Sequence, residues 1–233
     1  MKILALDSTA LVASAALCED ETLLGEVTIN NGNTHSETLL PMVEFLLSRF
    51  EISPTELDLF ALSKGPGSFT GVRIGAATIK GLAFATQIPC IGVSTLDALA
   101  YNLADIKGLI CPVMNARRSQ VYTALFRNSE NGMERLLPDS AIAIAELDTI
   151  LSAYDEPVYL CGDGYDITKK LLTHPIYEIS EKLRHQSAYS VAQVAKKFYD
   201  SGVRGTDIEL SPTYLRLSQA ERERNARLCD TGI

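Results

Sequence analysis

No stretch of this 233-residue chain stays apolar for the ~18 residues a membrane span needs. Asp7 interrupts the apolar start Ile3-Leu4-Ala5-Leu6 before the core of a secretory signal forms, so the expectation is a cytoplasmic protein with no membrane attachment. Paired cysteines are equally lacking. Cys18, Cys90, Cys111, Cys161 and Cys229 are odd in number, far apart and mostly flanked by apolar neighbours, with no CxxC pair. They read as small core hydrophobes in a reducing compartment, which excludes a disulfide framework. A basic stripe of the kind that grips nucleic acid is missing as well. The net charge is −8, of which −7 falls on residues 1–105 and −1 on residues 106–233. The richest basic stretch, Arg216 to Arg227, interleaves its arginines with Glu221 and Glu223 and reads as a solvated helical end. There is no low-complexity segment. What the chain does have is 46% hydrophobic residues, ample for a real core.

The apolar periodicity gives a duplicated order of elements. In the first half, Lys2–Leu6, Leu11–Leu17 and Thr22–Ile29 read as strands, the last two joined by the acidic turn Glu19-Asp20-Glu21. A helix opens at Asn33-Thr34, where Thr34 and Glu37 have the spacing of a capping box, and Pro41 is expected to kink its first turns. Ser53-Pro54-Thr55-Glu56 is a second capping signature before the strand Leu59–Ser63. A glycine-rich loop, a helix to about Thr86, the strand Cys90–Val93 and a helix over Thr95–Leu103 complete the half. The second half repeats the order: strands at 109–114, 120–126 and 132–137, a helix at 144–153, a strand at 158–160, a short helix at 167–172, a strand at 175–179 and an amphipathic helix over Ser187–Tyr199. Two βββαβαβα units predict an α/β protein with mixed sheets, antiparallel through hairpins and parallel through helical crossovers. The predicted domains are 1–105 and 106–233, hinged near Asp105-Ile106-Lys107-Gly108, with the last helix able to pack back on the first domain.

The segment Lys64-Gly65-Pro66-Gly67-Ser68-Phe69-Thr70-Gly71-Val72-Arg73-Ile74-Gly75 is the most informative. Amides at such a strand-to-helix turn can hold an anion, with Gly65 and Gly67 allowing close approach. It lacks the Lys-Ser/Thr pair of a P-loop, however, and its G-x-G-x-x-x-G spacing is one residue too long for a dinucleotide fingerprint. Gly71 and Gly75, four apart, leave a smooth stripe for close helix packing at a cost of roughly 1 kcal/mol each in helix propensity.

That loop, the start Ile3-Leu4-Ala5-Leu6-Asp7-Ser8-Thr9, the segment Asn31-Gly32-Asn33-Thr34-His35-Ser36-Glu37-Thr38-Leu39-Leu40-Pro41 and the late Ser211-Pro212-Thr213-Tyr214-Leu215-Arg216 together resemble the bacterial TsaB (YeaZ) family over nearly the whole chain. The resemblance implies a duplicated actin-like fold of the sugar-kinase and Hsp70 ATPase type, in agreement with the duplicated pattern. It also implies a role in forming the threonylcarbamoyl group on the tRNA adenosine 3′ of the anticodon, as a noncatalytic partner of a TsaD-type transferase assembled with a TsaE-type ATPase. Alone, such a chain is expected as a homodimer, reaching tRNA only through the complex.

The residues bear on catalysis independently of that resemblance. TsaD-like relatives hold a metal through H-x-x-x-H on the helix that begins here near Thr34; His35 is followed four residues on by Leu39, so neither a metal nor a catalytic residue is expected. His35, His174 and His185 read as surface or capping histidines, and no H-E-x-x-H supports a metalloprotease. Asp7-Ser8-Thr9 lacks the glycine of an actin-like phosphate hairpin; Asp7, Ser8, Thr9, Gly65, Gly67 and Ser68 are the candidates for ATP, Asp7 through magnesium. Asn115-Ala116-Arg117-Arg118 stands where relatives commonly have Asp-Ala-Arg-Arg, so a carboxylate expected there is absent. Ser68 and Thr70 have no neighbouring histidine, and Arg73 reads as a surface or salt-bridging side chain. The partner surface is expected on the two helices 34–49 and 70–86, at Leu39, Met42, Val43, Leu46, Leu47, Gly71, Gly75 and Thr78. The alternative is an ATP-dependent small-molecule kinase or hydrolase of the same superfamily.

Overall fold

A strand buried on both faces must be apolar at every position, and β1 (Lys2–Asp7) is the centre of such a sheet in the computed structural model, which describes residues 1–30 and 34–216. Asn31-Gly32-Asn33, Cys229 and the arginines after Arg216 lie outside the described residues. β2 (Ala13–Glu19) and β3 (Thr22–Ile29) pair antiparallel as a meander, while β4 (Leu59–Ser63) and β5 (Cys90–Val93) join in parallel, giving the order β3-β2-β1-β4-β5. Parallel neighbours need crossovers, supplied by α1 (His35–Arg49) with a short 3-10 turn at Pro54–Glu56, and by α2 (Phe69–Thr86). The capping box at Ser53 forms as expected, the Glu56 carboxylate accepting from the Ser53 N–H at 2.7 Å. The one expected at Thr34 does not. The Thr34 hydroxyl accepts from Ser36 Oγ, and no backbone N–H reaches it.

Alternation along the strands sends two sets of side chains to two layers. Leu4, Leu6, Leu17, Phe60 and Leu62 face α1 and α2; Ile3, Ala5, Cys18, Leu59, Ala61 and Val93 face the other way. The second layer is closed mainly by α6 (Ala188–Asp200), through Ala188, Val191, Ala192 and Ala195. This late helix is moored to the first sheet by Glu26, whose Oε1 accepts from Ser14 Oγ, Ser187 Oγ and the Tyr189 N–H at 2.8–3.2 Å.

The second sheet repeats the plan with β6 (Gly108–Asn115), β7 (Gln120–Ser129), β8 (Gly132–Ala143) and β9 (Val158–Cys161) in the order β8-β7-β6-β9. α4 (Ile144–Leu151) and α5 (Tyr165–Leu171) cover one face, and α3 (Thr95–Tyr101) inserts Leu96 and Leu99 against the other. β8 runs six residues past its expected end, carrying Pro138, which an edge strand tolerates because one side of its ladder is unpaired. The strand expected at 175–179 is absent: one isolated bridge joins Tyr177 to Tyr159, and Pro175 has no N–H to extend it.

Residues 203–216 then return over the first half as a strap. The Cys90 N–H donates to the Gly205 carbonyl, Lys80 Nζ to the Leu210 carbonyl, and the Thr213 N–H to the Lys64 carbonyl. Leu210 enters the core. Tyr214 stacks on Phe69 with ring centroids 4.4 Å apart, and Arg73 Nε donates to its hydroxyl at 2.8 Å.

The α1 expectation needs correction. Leu39, Met42, Val43, Leu46 and Leu47 recur at the spacing of a single helical stripe, and all five are buried against the chain's own sheet. Gly71 and Gly75 are buried too: a Cβ on either would overlap Ser8, so their close approach is to the turn after β1 rather than to a partner helix. Thr78 is partly exposed but gives its hydroxyl to the Ile74 carbonyl.

Candidate functional site: the cleft between the halves

The turn after β1, the glycine loop after β4, the β6–β7 hairpin and the loop after β9 meet around a cleft of about 560 Å³, lined among others by Thr9, His35, Ser68, Asn115, Arg117, Asp163 and Arg216. The parallel strands end here, and such strand ends place loops, not side-chain layers, around a crevice.

On its first-half wall, polar groups are spent on one another. Asp7 Oδ1 accepts from the Thr9 N–H at 2.9 Å and Thr9 Oγ1 at 2.7 Å, and its Oδ2 accepts from Ser63 Oγ at 2.5 Å. Burial pushes the Asp7 carboxyl up, against the downward pull of these three donors. Ser8 Oγ donates to the Gly71 carbonyl at 2.9 Å, and the Ser68 N–H to the Thr9 carbonyl at 2.7 Å. Gly67 lies so close to Thr9 that a Cβ would collide with it. Asp7, Ser8, Thr9, Gly67 and Ser68 are therefore brought together, but as a lock between turn and loop. Asp7 and Ser8 are fully buried and lie behind the cleft wall, whereas Thr9, Gly67 and Ser68 line it. Gly65, at φ +107°, faces the Thr213 carbonyl of the strap instead.

His35 is neither a surface nor a capping histidine. Its Nε2 donates to the Ala10 carbonyl at 2.7 Å, tying the start of α1 to the β1–β2 turn. The Nδ1 of the same ring is buried and has no hydrogen-bond partner among the described residues. Leu39, at the position of a second ligand, is in the core. Among the described residues no three His, Cys, Asp or Glu side chains converge as a metal site. His174 gives its N–H to Asp148, and His185 stands near Glu181.

The second-half wall differs. Asp163 follows β9 and accepts from the Asn115 N–H at 3.2 Å; it keeps an exposed edge, yet desolvation by the surrounding protein pushes the carboxyl up against the downward pull of that bond. Arg216, the end of the strap, crosses the cleft to donate to the Ala116 carbonyl at 2.6 Å. Asp163 and Arg216 were not expected as cleft residues. A signal for Asp163 was present in the repeat itself: Gly65-Pro66-Gly67 after β4 is matched by Gly162-Asp163-Gly164 after β9, with Gly65 and Gly162 both at positive φ.

Two sheets built on one plan, each a meander continued in parallel, by two strands in the first and one in the second, with a cleft between their strand ends, define the duplicated actin-like α/β fold. The family model for the tRNA N6-adenosine threonylcarbamoyltransferase TsaD matches residues 22–223. The tRNA threonylcarbamoyladenosine biosynthesis protein TsaB of Bacillus subtilis is 34% identical over 95% of this chain and 96% of its own; that of Escherichia coli is 37% identical over 57% and 58%. The solved YeaZ of Pseudomonas aeruginosa superposes with a TM-score of 0.80 at 26% identity, over 92% of this chain and 99% of that one. This chain belongs to the TsaB (YeaZ) family of tRNA threonylcarbamoyladenosine biosynthesis proteins, within the wider family that the transferase model describes. No helix among the described residues is long and apolar enough to cross a membrane.

Proposed function

We propose that this chain acts in the cytoplasm as a noncatalytic partner of a TsaD-type transferase, with a TsaE-type ATPase completing the assembly and a homodimer forming when it is alone. The observation that carries this is an apolar surface left over after α1 and α2 have filled the core. Leu40 and Phe45 of α1 are 48% and 55% exposed, and Phe84 of α2 is 69% exposed. On α2 the outward stripe Ala77, Gly81, Phe84 is apolar and of low relief, with Arg73 as its charged end. Such a face on neighbouring helices fits a helical partner. The cleft supports the reading by contrast, since its Asp7 turn is locked onto itself and, among the described residues, no three metal-ligating side chains converge.

The test is co-elution with a TsaD-type enzyme and threonylcarbamoyl transfer to tRNA by the mixture. The chain alone is expected to transfer nothing, and Phe45→Asp is expected to stay folded while binding the transferase roughly 30-fold more weakly, as for a central interface aromatic. Unchanged binding by Phe45→Asp places the surface elsewhere; transfer by the isolated chain overturns the noncatalytic reading.

A further inference from the structure

The hairpin joining β6 to β7 has an expensive backbone. Arg117, Arg118 and Ser119 are successive left-handed residues at φ 63°, 55° and 54°, a conformation that glycine or asparagine normally supplies and bulky side chains avoid. No glycine stands between Ala116 and Gln120, although a tight hairpin usually carries one. The turn is held by the Ala116 N–H on the Gln120 carbonyl, the Gln120 N–H on the Arg117 carbonyl, and the Arg117 N–H on Asn115 Oδ1 at 2.8 Å. Strain that surrounding structure over-determines in this way concentrates at functional sites.

What the strained turn displays is positive charge. Arg117 and Arg118 are exposed, and among the described residues neither guanidinium has an acidic or hydrogen-bonding partner. Of the other described arginines, Arg127 is engaged with Glu156, Arg135 with Asp97 and Asp139, Arg73 with Tyr214, and Arg184 and Arg204 over tyrosine rings, while Arg49 stands alone at the end of α1 with no second arginine beside it. Arg216 adds a third guanidinium at the same hairpin through its bond to the Ala116 carbonyl. Successive left-handed residues also turn their N–H groups to one side, and those of Arg118 and Ser119 meet no acceptor among the described residues. In a chain of net charge −8 this rim stands out as a concentrated donor site for anions.

We infer that the Arg117-Arg118 hairpin, with Arg216, contacts the phosphodiester backbone of RNA at the mouth of the cleft, and so gives the tRNA a foothold on this chain once the transferase holds it. The inference rests on the partner reading above. RNA is favoured over a free nucleotide because the donors sit on the exposed rim, whereas the Thr9 and Ser68 groups on the opposite wall are already paired. A stiff polyanion touches the rim without entering.

The experiment compares the chain with R117A/R118A and R117K/R118K. Each is mixed with the TsaD-type transferase and labelled tRNA, anisotropy is followed across a salt series, and complex formation is read separately by size exclusion. The alanine pair is expected to keep the transferase, to weaken tRNA binding roughly tenfold at physiological salt, and to flatten the dependence of log K on log salt by about 1.4–1.8, the release of two phosphate contacts. The lysine pair is expected to retain that slope. An unchanged affinity and slope in the alanine pair overturns the inference, as does a loss confined to ATP-induced thermal stabilisation. If the unaltered chain fails to co-elute with the transferase, the partner reading falls by itself. Low-salt titration of the isolated chain then decides the arginines: the inference stands if binding is detectable and drops in the alanine pair, and falls otherwise.

Discussion

At the scale of single residues, Asp7 shows how a carboxylate at a strand end is used up by its own fold. Its three donors come from Thr9 and Ser63, and burial raises its pKa above the ordinary 3.8. The unfolded chain therefore sheds this proton at a lower pH than the folded chain does, so the contribution of Asp7 to stability falls as pH rises from 3.8 towards the folded value. Asp7→Asn keeps the shape and removes the titration. Relative to the parent, the variant is expected to gain stability between pH 4 and pH 7, as measured by urea denaturation at a series of pH values; a constant difference would show that Asp7 is ionised in the folded state at pH 4. Asp7 was legible in the sequence as a candidate, but its saturation was not, because Ser63 lies 56 residues away. The left-handed run at Arg117 was equally hidden. Nothing in Asn115-Ala116-Arg117-Arg118 announces positive φ, for no glycine marks it.

At the scale of elements, apolar patterning located most strands and helices, including β3, β4 and β5 at their observed bounds, since the inner strands of a sheet covered on both faces are short continuous apolar runs. It misjudged which side of α1 is spare. The five residues expected at an interface form the one buried stripe, and the surplus is Leu40 and Phe45 between them. Gly81 raises the complementary question on α2. It lies in the helix interior, exposed, with nothing within 4 Å of the place its Cβ would occupy, so the chain itself has no packing need for glycine there. Gly81→Ala is expected to stabilise the isolated chain by up to about 1 kcal/mol through helix propensity, or about 2–4 °C in melting temperature. On the proposed partner surface it is expected at the same time to weaken the transferase complex, because the added methyl would hold off a partner backbone. Calorimetry and size exclusion on one preparation check both; a gain in stability with unchanged binding leaves Gly81 outside the contact. The strap was visible only as the motif Ser211–Arg216; its path over Lys64, Lys80 and Phe69 is a long-range property that no local pattern encodes.

At the scale of the whole molecule, the duplication read from element order is present in both sheets, yet the halves are not independent bodies. α6, late in the chain, covers the first sheet, and α3, from the first half, packs on the second. A fragment ending at residue 107 retains every strand of the first sheet but bares Ile3, Ala5, Leu59, Ala61, Ile91 and Val93. It is expected to be insoluble or to bind hydrophobic dyes with a broad thermal transition, and adding a peptide spanning 186–202 in trans is expected to sharpen that transition. A cooperative, soluble 1–107 fragment would show that α6 is dispensable.

The position of α6 in the chain sets a schedule for synthesis. The strands β1 to β5 are complete once Val93 has been made, but the helix that closes their second face begins at Ala188, so 95 residues (188 − 93) are added while that face has no permanent cover. At roughly 5–20 residues per second this is an interval of about 5–20 s, long against the microseconds of helix and hairpin formation. During it the nascent chain carries a finished meander with one sticky side, the state in which chaperones are recruited and neighbouring nascent chains on a polysome meet.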